Sequence, residues 1–140
     1  MSRHFKYLVF IACLLFIQNR SKAQFSELEL KQLDTLNELV SNPQNHDTIL
    51  ALAYLNLSEI LYVSNMDTMI PLCMKAKNII DNGLKKNPGI QVEKALLEIK
   101  SGVLNNIAFV HMNQGRVDTA LAYLIEALAI IEKAGNKEGI

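Results

Sequence analysis

This sequence predicts an all-α fold of antiparallel helix pairs, and three observations predict it. Half of the 140 residues are hydrophobic, led by Leu, Ile and Ala, with six Gly, three Pro and no Trp; that is the balance of a helical chain. Apolar residues recur at three- and four-residue steps between clear breakers. Between Leu104 and Ile131 small residues stand at fixed offsets, at Ala108, Ala120 and Ala127, with Gly115 between the first two. Two helices cross closely where a small residue faces the partner backbone. Ala108 and Ala120 suit a contact within one pair, and Ala127 suits the approach of a neighbour. Leu104, Ile107, Leu121, Leu124, Leu128 and Ile131 are expected to fill the remaining inward positions.

The chain opens with Arg3, His4 and Lys6, an apolar run from Tyr7 to Ile17, and the exit Ser21-Lys22-Ala23-Gln24. A basic start, a short apolar centre and small residues at the exit have the form of a secretory leader over 1–23, cleaved after Ala23. The run is too short to span a bilayer comfortably, which takes about 20 residues. Its alternative is an uncleaved anchor. A periplasmic or secreted protein follows, with no membrane association once the leader is removed.

A first helix is expected over 25–41. Ser26 and Glu29 have capping-box spacing, Leu28, Leu36 and Leu39 extend one face with Leu33 and Val40 beside it, and Asn42-Pro43 stops it. Helix and loop together, 24–46, form an N-terminal cap. His46 is read as solvated. Asp47 or Thr48 caps the second helix, which runs to about Val63 and is apolar nearly all round, so burial is expected. After Ser64-Asn65, Asp67-Thr68 caps a third helix over about 69–86. Pro71 is tolerated there because it lies in the first turn. Asn87-Pro88-Gly89 ends it. A fourth helix spans 90–113, Gln114-Gly115-Arg116 turns, and a fifth runs from Val117 to about Ala134.

The spacing of small and large residues resembles the tetratricopeptide repeat, a helix pair of about 34 residues. Counted from Ser101, the family's small residues at its eighth, twentieth and twenty-seventh positions fall on Ala108, Ala120 and Ala127. Its large positions fall on Leu104, Ile107 and Leu124, and its inward aromatic position on His111. The resemblance implies a short solenoid of this type over 47–140, with one good repeat at about 101–134 and a degenerate one at about 47–87. In the earlier repeat Asp67-Thr68 answers Asp118-Thr119, Met69 answers Ala120, Cys73 answers Leu124 and Ala76 answers Ala127, at a spacing of 51 (67 to 118). On the partner helices, Leu57-Ser58 answers Ile107-Ala108.

The same resemblance implies a protein-interaction module whose first helices hold a peptide or partner helix on a concave face. The groove positions fall on Leu55, Glu59 and Tyr62 in the earlier repeat and on Asn105, Phe109, Met112 and Asn113 in the later one. Asn106 falls where some family members hold a ligand's backbone; an amide both donates and accepts. Its alternative is a bridge between helices. None of these is Lys or Arg, which disfavours a ligand held by its terminal carboxylate. The leader, the Leu-rich first helix and the segments Ser64-Asn65-Met66-Asp67-Thr68 and Gly135-Asn136-Lys137-Glu138-Gly139 are similar to the extracytoplasmic input regions of sensor histidine kinases, especially from Bacteroidetes. In those proteins a membrane helix and a kinase core follow. Neither occurs in these 140 residues, which gives the alternative of a truncated input region.

Enzymatic chemistry is not indicated. No phosphate loop, paired-Cys motif or His-Glu-x-x-His occurs, and His4, His46 and His111 do not form a ligand set, so no metal, cofactor or catalytic residue is assigned. Cys73 is read as a small buried hydrophobe. Fourteen basic and fourteen acidic residues give zero formal net charge, without the basic patch that nucleic acid requires. Val117, Leu121, Leu128 and Ile131 leave the last helix without the polar outer face of a terminal repeat, so self-association through that helix is a further expectation.

Overall fold

The computed structural model describes residues 25–135. The expected leader and the tail beyond Gly135 lie outside the described residues. Among the described residues five α-helices follow in order: α1 Glu27–Ser41, α2 Asp47–Leu61, α3 Met69–Lys85, α4 Ile90–Asn113 and α5 Val117–Gly135, with a short 3₁₀ turn at Met66–Thr68 before α3. The described residues fall in two compact units, 25–32 and 33–135.

In the first unit, Ser26 and Glu29 form the capping box. The Ser26 N–H donates to the Glu29 carboxylate at 2.7 Å, and the Glu29 N–H donates to Ser26 Oγ at 3.2 Å. The hydrogen bonds from Ser26 hold the Glu29 carboxyl below its ordinary value.

In the second unit the helices pack as α2 on α3, α3 on α4, and α4 on α5, with α2 also touching α4. This is the short all-α solenoid of antiparallel pairs that the sequence implies. Breakers set the turns. Asn87 ends α3 in the left-handed region at φ 51°, where Asn is tolerated, and Pro88 cannot continue the helix. Gly115 ends α4 at φ 74°. There the Arg116 N–H donates to the His111 carbonyl at 2.9 Å and the Gly115 N–H to the Met112 carbonyl at 3.0 Å, the paired bonds of a Schellman end.

Two caps differ from expectation, one in its residue and one in its bonds. His46, not Asp47 or Thr48, caps α2: its Nδ1 accepts from the Thr48 N–H at 3.3 Å and bonds Thr48 Oγ1 at 2.9 Å. At α3, Thr68 stands at the N-cap as expected but makes no side-chain cap bond; it donates its hydroxyl to the Asn65 carbonyl at 2.7 Å, while Asn65 caps the preceding 3₁₀ turn by accepting from the Asp67 N–H at 2.9 Å.

The core lies where α2, α3 and α4 meet. Cys73, Ile80, Leu96 and Val103 have no exposed surface, and Ile107 is 1% exposed. Each large side chain buried there contributes about 1.5–3 kcal/mol. Leu104 and Ile107 are buried as expected, but Leu121, Leu124, Leu128 and Ile131 are exposed. The reason is the stripe that α5 turns to α4: Ala120, Ala127 and Ala134, seven residues apart, are 0–2% exposed. Small residues let the backbones close in, so that Ser101 Oγ donates to the Ala127 carbonyl at 3.2 Å. The large residues then point away from α4. α2 is also less enclosed than its composition suggests, with Ile49 and Leu52 near half exposure.

Candidate functional site

α2 and α4 touch along one register. Leu55 sits over Gly102: a Cβ built at Gly102 would lie 3.0 Å from Leu55 Cδ2. Asn106 reaches Glu59, and Phe109 meets Tyr62. All three pairs share a spacing of 47 (55 to 102, 59 to 106, 62 to 109), so the two helices run parallel. A glycine inside a helix costs about 1 kcal/mol relative to Ala. Here it makes room for close approach.

The paired helices carry a cleft with three zones. Toward the helix starts, Thr48, Ile49, Leu52, Leu55, Ala95, Glu98 and Ile99 line an apolar depression of about 480 Å³. In the middle, Asn106 Nδ2 donates to Glu59 Oε1 at 3.1 Å and to Ser58 Oγ at 3.3 Å. Its Oδ1 accepts no hydrogen bond among the described residues. Toward the helix ends, the Tyr62 and Phe109 rings pack edge to face with centroids 5.7 Å apart. Both are partly exposed, and so is Met112.

The eight residues assigned from sequence are placed differently from one another. Glu59, Tyr62, Asn106 and Phe109 are brought into contact across the two helices. Asn105, Met112 and Asn113 are exposed along the same stripe of α4, at the three- and four-residue steps that share a helix side. Asn113 Nδ2 is engaged locally, donating to the Phe109 carbonyl at 2.8 Å. Leu55 lies deepest, only 8% exposed, because Gly102 admits it between the helices, and it forms the floor of the apolar depression. Asn106 does act as a bridge between helices, yet keeps an acceptor open. The apolar zone of Ile49, Leu52, Ala95 and Ile99 was not assigned from sequence. The signal that could have found it is Gly102, a glycine inside an otherwise uninterrupted helical pattern.

Beneath the polar zone, Ser58 is fully buried. Its hydroxyl donates to the Leu55 carbonyl at 2.6 Å and lies 3.5 Å from the Cys73 thiol. Burial pushes the Cys73 thiol above its ordinary 9.0; the bond to Ser58 offsets part of this and the Glu59 charge adds to it. His111 stacks flat on Tyr123, centroids 5.5 Å apart, and so joins α4 to α5. Its buried Nδ1 has no hydrogen-bond partner among the described residues. Among the described residues no three or more of His, Cys, Asp and Glu gather as a metal site, and no described helix is long and apolar enough to cross a membrane.

Compared with known proteins, residues 102–134 match the family model described as tetratricopeptide repeat. The match spans the second half of α4 and nearly all of α5. Neither the curated proteins nor the solved structures contain a match to the chain.

Proposed function

We propose that this chain, which carries a tetratricopeptide repeat and so has the build of a non-catalytic protein-interaction module, binds a peptide or partner helix along the α2–α4 cleft. The observation that carries this reading is the single register in which apolar, amide and aromatic groups line one parallel helix pair. The apolar zone takes an aliphatic side chain. The open Asn106 Oδ1 accepts from a backbone N–H, while its amine stays fixed by Glu59 and Ser58. Tyr62, Phe109 and Met112 take a second apolar or aromatic side chain. Glu59 and Glu98 border the cleft, and no cation sits among its lining residues, so internal segments of a partner suit it better than a free carboxyl terminus.

The leader-like start supports export of the module to the periplasm or outside the cell, and comparison of the secreted protein's first residue with Gln24 tests that. The alternative role, as a sensory input region, rests on the sequence similarity to kinase input segments; a membrane helix and kinase core encoded in the same reading frame would support it.

The binding reading is tested by selecting peptides from a displayed random library against the full chain. Selected peptides are expected to lose at least tenfold in affinity on Asn106→Ala and on Phe109→Ala. Binders indifferent to both substitutions would overturn the assignment of the cleft.

A further inference from the structure

The polar groups along the α2–α4 cleft spend their donors inward. Asn106 Nδ2 donates to Glu59 Oε1 and Ser58 Oγ, and Asn113 Nδ2 donates to the Phe109 carbonyl. At the helix starts, the Thr48 N–H and hydroxyl both meet His46 Nδ1. The direction of the Asn106 amide follows from its two neighbours. An ionised carboxylate has no proton to give, and Ser58 has given its own to the Leu55 carbonyl at 2.6 Å. Both can only accept, so the NH2 faces them and Oδ1 faces the open cleft. Among the described residues nothing donates to the Oδ1 of Asn106 or of Asn113. Exposed Asn105 has neither half engaged among those residues and can turn either way.

Charge runs the same way. α2 holds no Lys or Arg between Asp47 and Leu61. Of the two lysines on α4, Lys100 turns to Asp81 on α3 at 2.6 Å, and Lys94 stays beside Glu98 on its own helix at 4.0 Å. Glu59 is exposed and makes no ion pair among the described residues. On the reading of the cleft as the peptide site, we infer that Glu59 sets its specificity and that the occupant is an extended segment carrying a Lys or Arg. One oxygen of Glu59 holds the Asn106 amine, and the other pairs with the cation of the segment. Held in this way, Asn106 Oδ1 accepts a main-chain N–H. A helix has spent its interior N–H groups on its own carbonyls, so only an extended chain offers one midway between the two apolar zones. From Ile99 to Phe109 (99 to 109) α4 rises about 15 Å, which an extended chain covers in about five residues. The segment therefore places two apolar side chains about five residues apart, with its cation between them.

The probes are linear peptides selected from a displayed random library on the full chain, remade synthetically and followed by fluorescence anisotropy. They are expected to be enriched in Lys or Arg over the unselected library. Glu59→Lys should weaken them at least tenfold, and changing the basic residue of the peptide to Glu should restore binding to that variant. Replacing one peptide bond between the apolar side chains by an ester removes its N–H. That should weaken binding to the parent about fivefold and cause no further loss on Asn106→Ala. Glu59→Gln still accepts from Asn106, so it should keep the ester effect while losing about threefold in affinity with the charge. Glu59 is exposed, so these variants retain the parent's helical circular dichroism. Peptides that respond to Asn106→Ala and Phe109→Ala but lack a basic residue, or respond to no Glu59 variant and no ester as a helical occupant would, overturn this specificity and leave the cleft as the site. Peptides indifferent to Asn106→Ala and Phe109→Ala overturn both.

Discussion

The Tyr62 ring on α2 meets the Phe109 ring on α4 edge to face, at 81° between planes. This pair joins the two helices at their C-terminal ends, and both rings keep more than a third of their surface exposed. An aromatic pair of this geometry contributes about 0.5–1.5 kcal/mol beyond its buried area. A double-mutant cycle of Tyr62→Ala and Phe109→Ala, read by urea unfolding, should give a coupling energy in that range. Coupling near zero would mean the rings are neighbours without mutual stabilisation.

Asp81 lies between Lys77 and Lys100, at 2.7 and 2.6 Å. Burial raises the Asp81 carboxyl, but hydrogen bonds from Lys100 and Lys77, with their charges, outweigh it and hold the group below its ordinary 3.8. A carboxyl depressed in the folded state stabilises the fold above its unfolded value, and that contribution is lost as pH falls through the folded value. Stability should therefore decline below about pH 4 more steeply in the parent than in Asp81→Asn. At pH 7, Asp81→Asn should cost about 1–2 kcal/mol, because Lys100 is left largely buried without its charge partner.

Gly102 separates two effects of one methyl group. Alanine there gains about 1 kcal/mol of helix propensity but meets Leu55 Cδ2 at 3.0 Å. Leu55 also borders the open cleft, so it can give way. Gly102→Ala should leave the melting stability within about 1 kcal/mol of the parent. Gly102→Leu cannot be accommodated without parting α2 from α4 and should cost about 2–3 kcal/mol.

Adjacent residues on α5 should respond in opposite ways. Ala127 is 2% exposed against α4, whereas Leu128 is 58% exposed. Ala127→Leu overpacks the crossing and should destabilise by about 2 kcal/mol. Leu128→Ser should fall within about 0.5 kcal/mol of the parent. Chemical denaturation of the two variants checks both.

Cys73 should resist alkylation. It is fully buried and burial raises its thiol, while only the thiolate reacts. Peptide-resolved mass spectrometry after iodoacetamide treatment at pH 8 should find Cys73 unmodified in the native chain and modified in denaturant. Rapid native labelling would mean that the α2–α3 contact opens readily.

The helices were legible because their stops are chemical. Asn42-Pro43, Asn87-Pro88-Gly89 and Gln114-Gly115-Arg116 each forbid continuation, and all five helices lie within about two residues of expectation. Caps were less legible. Asn65 competes with Asp67 and Thr68, and His46 with Asp47 and Thr48, and neighbouring acceptors of similar strength are told apart only by backbone direction. Periodicity on α5 yields two stripes, one of alanines and one of leucines. Hydrophobicity favours the leucines as the inner one, whereas backbone proximity selects the alanines. The cleft depends on a register of 47 between distant helices. The position of Gly102 hints at close approach, but nothing local says that Leu55 is what approaches.

Ser58 has one proton and two lone pairs. The proton goes to the Leu55 carbonyl, and the Cys73 thiol and the Asn106 amine approach the oxygen. A surface amide and a core thiol thus draw on the electron density of the same atom. Whatever pulls Asn106 toward a guest in the cleft alters the acceptor that Cys73 sees. The S–H stretch of that thiol absorbs in a window of the infrared clear of other protein bands, so the interior of this chain carries its own optical gauge of what happens at its surface.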